Sequence, residues 1–334
     1  SSLKEYTHDA MRKWILKFKE FSVSSIPSYL KKVINFPLRI ITYLSNLKRI
    51  YLNILPSWLL TRAAGYLANI EFRKLFFRFI LALFIYLYSK IYNVNLDESA
   101  KPIEGFPSFN AFFTRELKKD ARIVCGNSTD LVSPVDARIT FAGTISEGML
   151  IQAKGIMYSL DELLDDKALA EQFYGGSYIT LYLSPGDYHR IHSPVDGIIR
   201  RCIYIPGELF PVNNLSTTTI RGLFPRNHRV ITIIESHEFG RVAVVKIAAT
   251  VVGTISLKYL DGASLGGWKK AEPPLPVRSI LRGEHLATFE LGSTVILLFQ
   301  KEKCVLKKGL EGCRVKMGEI IGKATLSESL PQPL

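Results

Sequence analysis

Nowhere does this 334-residue chain offer the roughly 20 predominantly apolar residues in a row that a membrane-spanning helix needs. Its longest uninterrupted apolar run, Phe79 to Tyr88, has ten. Cysteine is scarce: Cys125, Cys202, Cys304 and Cys313 lie far apart with no CxxC spacing, which argues against a zinc ribbon or a disulfide framework and leaves free thiols as the expectation. Acidic residues are scarce in one region only. Residues 1 to 92 carry fifteen Lys and Arg against four Asp and Glu, so +11 of the net charge of +13 sits there. The remaining 28 basic and 26 acidic residues nearly balance, which excludes a basic nucleic-acid groove through the body and points the N-terminal third at an anionic surface. The chain also lacks an initiator Met, so a processed or trimmed product is expected.

What is present reads as a folded protein with membrane contact: 47% hydrophobic residues, 22% charged, mean hydropathy +0.13. From Trp14 to about Tyr92 apolar residues recur at helical spacing between lysines and arginines, with breaks near Pro27, Pro37 and Pro56. The run Leu75 to Tyr88 suits a helix lying in one leaflet, with Arg73, Lys74, Arg78 and Lys90 at headgroup level. A buried core helix is the other reading of so short a run. Ser108 is an expected N-cap for a short helix over 108–117. After Asp120 the texture becomes β-branched runs cut by Gly and Pro, at Ser177 to Leu183, Gly197 to Ile205, Arg229 to Glu235, Val242 to Gly253 and Ser293 to Phe299. The expected fold is α+β: a basic, mainly helical, membrane-associating region (1–120) followed by a β-rich barrel-like or sandwich-like catalytic domain (121–334).

Two segments echo each other sixty positions apart, Ser133-Pro134-Val135-Asp136 and Ser193-Pro194-Val195-Asp196. Such turns feed strands in many β scaffolds and carry no chemistry by themselves. Asp136, too, is by type a turn residue first and a partner for histidine second. His189 and His192, two of only six histidines, stand close together, open to readings as a metal pair, an acid–base pair or polar edge residues. No further ligand spacing supports the metal. Gly292-Ser293-Thr294 before an apolar strand is ordinary turn vocabulary when taken alone. Together, an Asp, a His and a Ser permit another arrangement, in which the carboxylate fixes the imidazole and the imidazole takes the serine proton.

With these residues the chain resembles the phosphatidylserine decarboxylases, pyruvoyl-dependent membrane enzymes. The resemblance runs from about Leu55 to Gly322 through Phe109-Asn110-Ala111-Phe112-Phe113, Ser133-Pro134-Val135-Asp136, Lys154-Gly155, Tyr188-His189-Arg190-Ile191-His192, Asn213-Asn214, Arg226-Asn227, Gly253-Thr254-Ile255 and Leu291-Gly292-Ser293-Thr294. Residues 1 to 50 fall outside it. One departure is Ala137 where family members commonly have Gly; if that position required positive φ, Ala would strain the turn.

The resemblance implies that Asp136 orients His192 and that His192 deprotonates Ser293, whose hydroxyl attacks the Gly292 carbonyl. The resulting ester eliminates to release a large (β) chain, 1–292. A small (α) chain, 293–334, keeps a covalent pyruvoyl group derived from Ser293. That group would form a Schiff base with phosphatidylserine, take up the electrons left by departing CO2 and yield phosphatidylethanolamine. His189 is implied in the decarboxylation step. Neither a metal nor pyridoxal phosphate is expected. The implied partners are membrane phosphatidylserine, an anionic lipid surface met by residues 1–92, and the chain's own two halves as a heterodimer, with higher oligomers left open and no nucleic acid. A peripheral or monotopic setting follows, with a lean to the mitochondrial inner membrane over a bacterial cytoplasmic membrane or another organelle membrane. Rival readings are a non-catalytic lipid-binding β domain and an uncleaved Ser-His-Asp hydrolase. Ser293 lacks the Gly-x-Ser-x-Gly elbow of the common hydrolases, and no lipoyl-type hairpin lysine stands out.

Overall fold

The β-branched stretches condense into strands buried on both faces. In the computed structural model, residues 65–70, 75–153, 155–249, 255–261, 269–290 and 294–325 are described. The helices expected before residue 65 lie outside these residues, as do Lys154, Gly253, Thr254, Leu291, Gly292 and Ser293. The central sheet runs in the order β11 (Arg278–Ile280), β7 (Gly197–Ile205), β8 (Arg229–Ser236), β9 (Gly240–Ile247), β13 (Thr294–Phe299), β5 (Ser177–Tyr182), β2 (Ala137–Thr144), β15 (Arg314–Val315). All its neighbours pair antiparallel.

β13 explains the lack of alternation in these strands. Val295, Leu297 and Phe299 enter one hydrophobic cluster, while Ile296 and Leu298 enter a second on the opposite face. A strand with apolar neighbours on both sides reads as a continuous apolar run. The first cluster is closed by a three-stranded sheet of β10 (Ile255–Leu257), β12 (His285–Phe289) and β6 (Arg190–His192), which contributes Ile255, Leu286, Phe289 and Ile191. The second is closed by the hairpin β3 (Met149–Ala153) and β4 (Ile156–Ser159) with short helices that supply Leu160, Leu163, Leu169 and Phe224. A third sheet pairs β1 (Asp130–Val132), β16 (Ile320–Ala324) and β14 (Cys304–Leu306).

The barrel half of the expectation is corrected. Among the described residues no sheet closes on itself; the central sheet ends in two very short edge strands, β11 and β15. Layers packed on both faces remove the need for closure, so mixed α+β with stacked sheets is the architecture. Ala137 strains nothing: it opens β2 and is not among the residues with positive φ.

The apolar run near residue 80 divides its surface. It forms helix α1 (Leu75–Ile91), in which Leu81, Ala82, Ile85, Tyr86, Leu87 and Tyr88 are buried in the first cluster while Phe77 and Ile80 are exposed. Burying a side chain the size of Leu or Ile contributes about 1.5–3 kcal/mol, so most of the run serves the core. Among the described residues no helix is long and apolar enough to cross a membrane. Next comes α2 (Phe109–Phe113), capped as expected by Ser108, whose hydroxyl accepts from Ala111 N at 3.2 Å. Its Phe109 packs edge-on to Tyr88 and Phe84 of α1.

The two Ser-Pro-Val-Asp turns face each other. Val132 N donates to Pro194 O (3.2 Å) and His192 N donates to Pro134 O (2.8 Å). Within each turn the serine hydroxyl donates to the valine carbonyl at 2.7 Å, Ser133 to Val135 and Ser193 to Val195. The repeat is thus a mutual clasp, and β6 with its histidines grows out of it.

Candidate active site

β6 and the residues just before it carry Tyr188, His189 and His192, all buried. Pairing with β12 sets His192 opposite His285, their rings 5.6 Å apart. The His192 Nδ1–H donates to Gly283 O at 2.7 Å, since a carbonyl can only accept. This fixes the tautomer, so Nε2 carries the lone pair and accepts from the Tyr188 hydroxyl at 3.0 Å. Burial pushes the His192 pKa below the ordinary histidine value; the bond to Gly283 and the charge of Asp136 oppose that, and Arg190 adds to it.

His189 is arranged the same way. Its Nδ1–H donates to Asp187 O at 2.8 Å, and its ring lies 3.9 Å from that of Phe113 at the end of α2. Nε2 is buried and has no protein partner. Burial holds the pKa down at about 3, with the Arg115 guanidinium adding to the effect, so the ring is a neutral base at physiological pH. Arg115 is itself almost fully buried, stacked over Phe112 at 5.2 Å, with an unpartnered Nε.

Asp136 sits beside this pair and is not hydrogen-bonded to His192. Its carboxylate accepts from Arg122 Nε at 2.8 Å and from Met317 N at 2.8 Å, and Arg122 also reaches Glu98 at 2.8 Å. Burial alone would depress the Arg122 guanidinium, but the two carboxylates more than reverse that. The charge of Asp136 raises the His192 pKa without a hydrogen bond to the ring, and the Nδ1–H that Asp136 was expected to hold is on the Gly283 carbonyl instead. Arg122, Tyr188, Gly283 and Arg115 had no assigned part in the sequence reading. Only Tyr188 left a trace there, as the first residue of the Tyr188-His189-Arg190-Ile191-His192 motif.

The expected cleavage pair Gly292-Ser293 lies outside the described residues, and the described chain flanks it on both sides. On one side Phe289 N donates to His189 O at 3.0 Å; on the other, Thr294 opens β13 between Ile247 and Tyr182. Among the described residues no group of three or more His, Cys, Asp and Glu is gathered as for a metal ion.

The phosphatidylserine decarboxylase family profile matches residues 109–323. The chain belongs to that family. Relatives named phosphatidylserine decarboxylase proenzyme include one from Aliivibrio fischeri, 39% identical over 272 residues, covering 79% of this chain and 93% of the relative. Another from Vibrio campbellii is 41% identical over 265 residues (77% and 91%), and one from Saccharophagus degradans 38% over 278 residues (81% and 94%). The family motifs quoted above, from Phe109 to Thr294, fall inside the matched span.

Proposed function

We propose that this chain is a proenzyme that cuts itself between Gly292 and Ser293 and then decarboxylates phosphatidylserine to phosphatidylethanolamine and CO2. One observation carries the reading: two neutral histidines, each with Nδ1–H on a backbone carbonyl and the Nε2 lone pair turned the other way, unpartnered in His189 and met by the Tyr188 hydroxyl in His192, stand on and just before the strand that pairs with the approach to the expected cleavage sequence.

In the first stage His192 Nε2 takes the proton of the Ser293 hydroxyl, displacing or relaying through the Tyr188 hydroxyl that now occupies it. Asp136 stabilises the imidazolium that forms, as a nearby negative charge held in position by Arg122 and Met317 N. Ser293 attacks the Gly292 carbonyl, and the chain ends as residues 1–292 and 293–334. The pyruvoyl group left from Ser293 supplies an electron sink. The buried, apolar-walled lone pair of His189 Nε2 fits work beside such a group. Being neutral, His189 first receives a proton, from the ammonium of the incoming headgroup, and returns it once CO2 has left. Arg115 offers a cation to the headgroup's anionic atoms.

The basic residues 1–92, with Tyr66, Leu67, Phe77 and Ile80 exposed, support a membrane-surface setting. α1 packs into the same hydrophobic cluster as the β body, so the proposed division at residue 120 is offered as one of role. The mitochondrial inner membrane stays our preferred location.

Intact-mass measurement of purified protein tests the proposal. Two chains are expected, the smaller blocked at its first residue, with Ser293→Ala and His192→Ala each giving one uncleaved chain. A single full-length species from an active preparation would sink it in favour of the uncleaved hydrolase, and no turnover from either species would favour the lipid-binding domain.

A further inference from the structure

On the face of the central sheet opposite the histidines, a groove of about 680 Å³ opens beside the β3–β4 hairpin. Tyr158 and Ile205 in its wall belong to the second hydrophobic cluster, whereas Ile191 and Phe289 of the histidine strands belong to the first. Its floor is Arg229, 3% exposed, whose guanidinium donates to the backbone carbonyls of Leu163 (2.6 Å), Glu162 (2.7 Å), Asn227 (3.0 Å) and Pro225. Carbonyl dipoles orient that cation without cancelling its charge, and among the described residues no carboxylate is bonded to it.

Two more guanidinium groups line the rim, Arg221 and Arg226. Arg226 lies over the Phe210 ring at 4.7 Å, and among the described residues neither makes a salt bridge. Lys270, also in the lining, is already paired with Asp165 at 3.0 Å. The Glu162 carboxylate shares the groove and, among the described residues, forms no salt bridge, and Met157 gives the rim an apolar edge. Uncommitted positive charge over an oriented arginine suits a phosphate, and the Glu162 carboxylate, unlike the Asp165 carboxylate that Lys270 already holds, suits an ammonium.

We propose that this groove is an accessory site for an aminophospholipid headgroup, with Arg221 and Arg226 on the phosphate and Glu162 on the ammonium. The site lies off the catalytic strands, so a lipid there holds the β body to the membrane surface while another is turned over. The inference rests on the reading that the substrate is a membrane aminophospholipid.

Calorimetric titration of the processed enzyme with dihexanoyl-phosphatidylethanolamine, dihexanoyl-phosphatidylmethanol and inorganic phosphate tests it. Substituting surface arginines leaves the catalytic pocket intact, so wild type should titrate one more equivalent of the ethanolamine lipid than Arg221→Gln/Arg226→Gln, or bind it at least tenfold more tightly. Glu162→Gln should weaken the ethanolamine lipid and leave the methanol lipid unchanged. Equal stoichiometry and affinity in all variants would overturn the site, and phosphate binding as tightly as the ethanolamine lipid would overturn its assignment to a headgroup. Decarboxylation is assayed separately on the same samples. Binding without turnover would count against the enzymatic reading and leave the groove standing.

Discussion

The turn at 133–136 and the turn at 193–196 are built alike down to single hydrogen bonds, yet they bring different groups to the candidate site. In each, a backbone N–H from a later segment meets the aspartate: Met317 N to Asp136 at 2.8 Å, Arg282 N to Asp196 at 2.7 Å. In each, the serine carbonyl accepts from a glycine N–H, Gly318 to Ser133 at 2.9 Å and Gly283 to Ser193 at 2.8 Å. The differences are two. The residue before the first turn is Val132, and the residue before the second is His192. Asp136 additionally holds Arg122, itself tied to Glu98, whereas among the described residues Asp196 has no such cation. A doubled scaffold thus places a base from one half against a charge from the other. The scaffold bonds explain why both aspartates are there, and only the surplus interactions can be functional.

Replacing each aspartate separates scaffold from charge most sharply. Asp136→Ala should slow cleavage at least 100-fold, while Asp196→Ala should cleave at close to the wild-type rate and lose about 1–3 kcal/mol of stability from the orphaned Arg282 N–H. Asp136→Asn keeps an acceptor for Met317 N and removes the negative charge that raises the His192 pKa. The imidazolium is then less favoured, so the acid limb of the cleavage rate should move to lower pH, and Asp196→Asn should leave it in place. Gel time courses across pH 5–8 read both effects. Similar rates and limbs for the two aspartates would erase the distinction.

The glycines that serve the turns offer a smaller, crossed effect. Gly283 (φ 81°) and Gly318 (φ 90°) both sit in the left-handed region, which costs other residues about 1–3 kcal/mol. A Cβ on Gly318 would stand 2.2 Å from the backbone oxygen of Ile123, and one on Gly283 would stand 2.3 Å from a Val124 methyl, which can shift more easily. Gly318→Ala should therefore be the more destabilising in thermal melts. Gly283→Ala should be the slower to cleave, by about tenfold, because it disturbs the carbonyl that orients His192. If the same variant proves worse in both assays, the Gly283 carbonyl has no special part.

Much of this was legible in residue type and spacing, and the rest was hidden for physical reasons. β7 begins and ends where its β-branched run does, at Gly197 and Ile205, and Ser108 caps as its type suggests. Sheet closure was not legible, because it depends on what the edge strands meet and not on any strand's own pattern. The orienting partner of His192 was not legible either: it is a backbone carbonyl, and every residue has one. Arg122 stands in an unpatterned polar stretch whose meeting with Asp136 is purely tertiary. Lys246 is another silent case. It is fully buried in the apolar β9, with Nζ on Thr232 Oγ1 at 2.6 Å and Val244 O at 3.1 Å, and burial pushes its pKa down to about 7.

The serines of the two turns should show the comparison at its most even. Ser133 and Ser193 are both fully buried, and each hydroxyl donates to the valine carbonyl two residues on at the same 2.7 Å. Removing either leaves one buried carbonyl short of a donor, a loss of about 1 kcal/mol. In a domain of this size that lowers the melting midpoint by about 2–4 °C. Ser133→Ala and Ser193→Ala should therefore melt within about 1 °C of each other and cleave alike, since neither hydroxyl reaches the histidines or Asp136. A Ser133→Ala chain that cleaved much more slowly than Ser193→Ala would mean that the first turn, and not the charge it carries, is tuned for the reaction. Asp136 would then lose its separate standing.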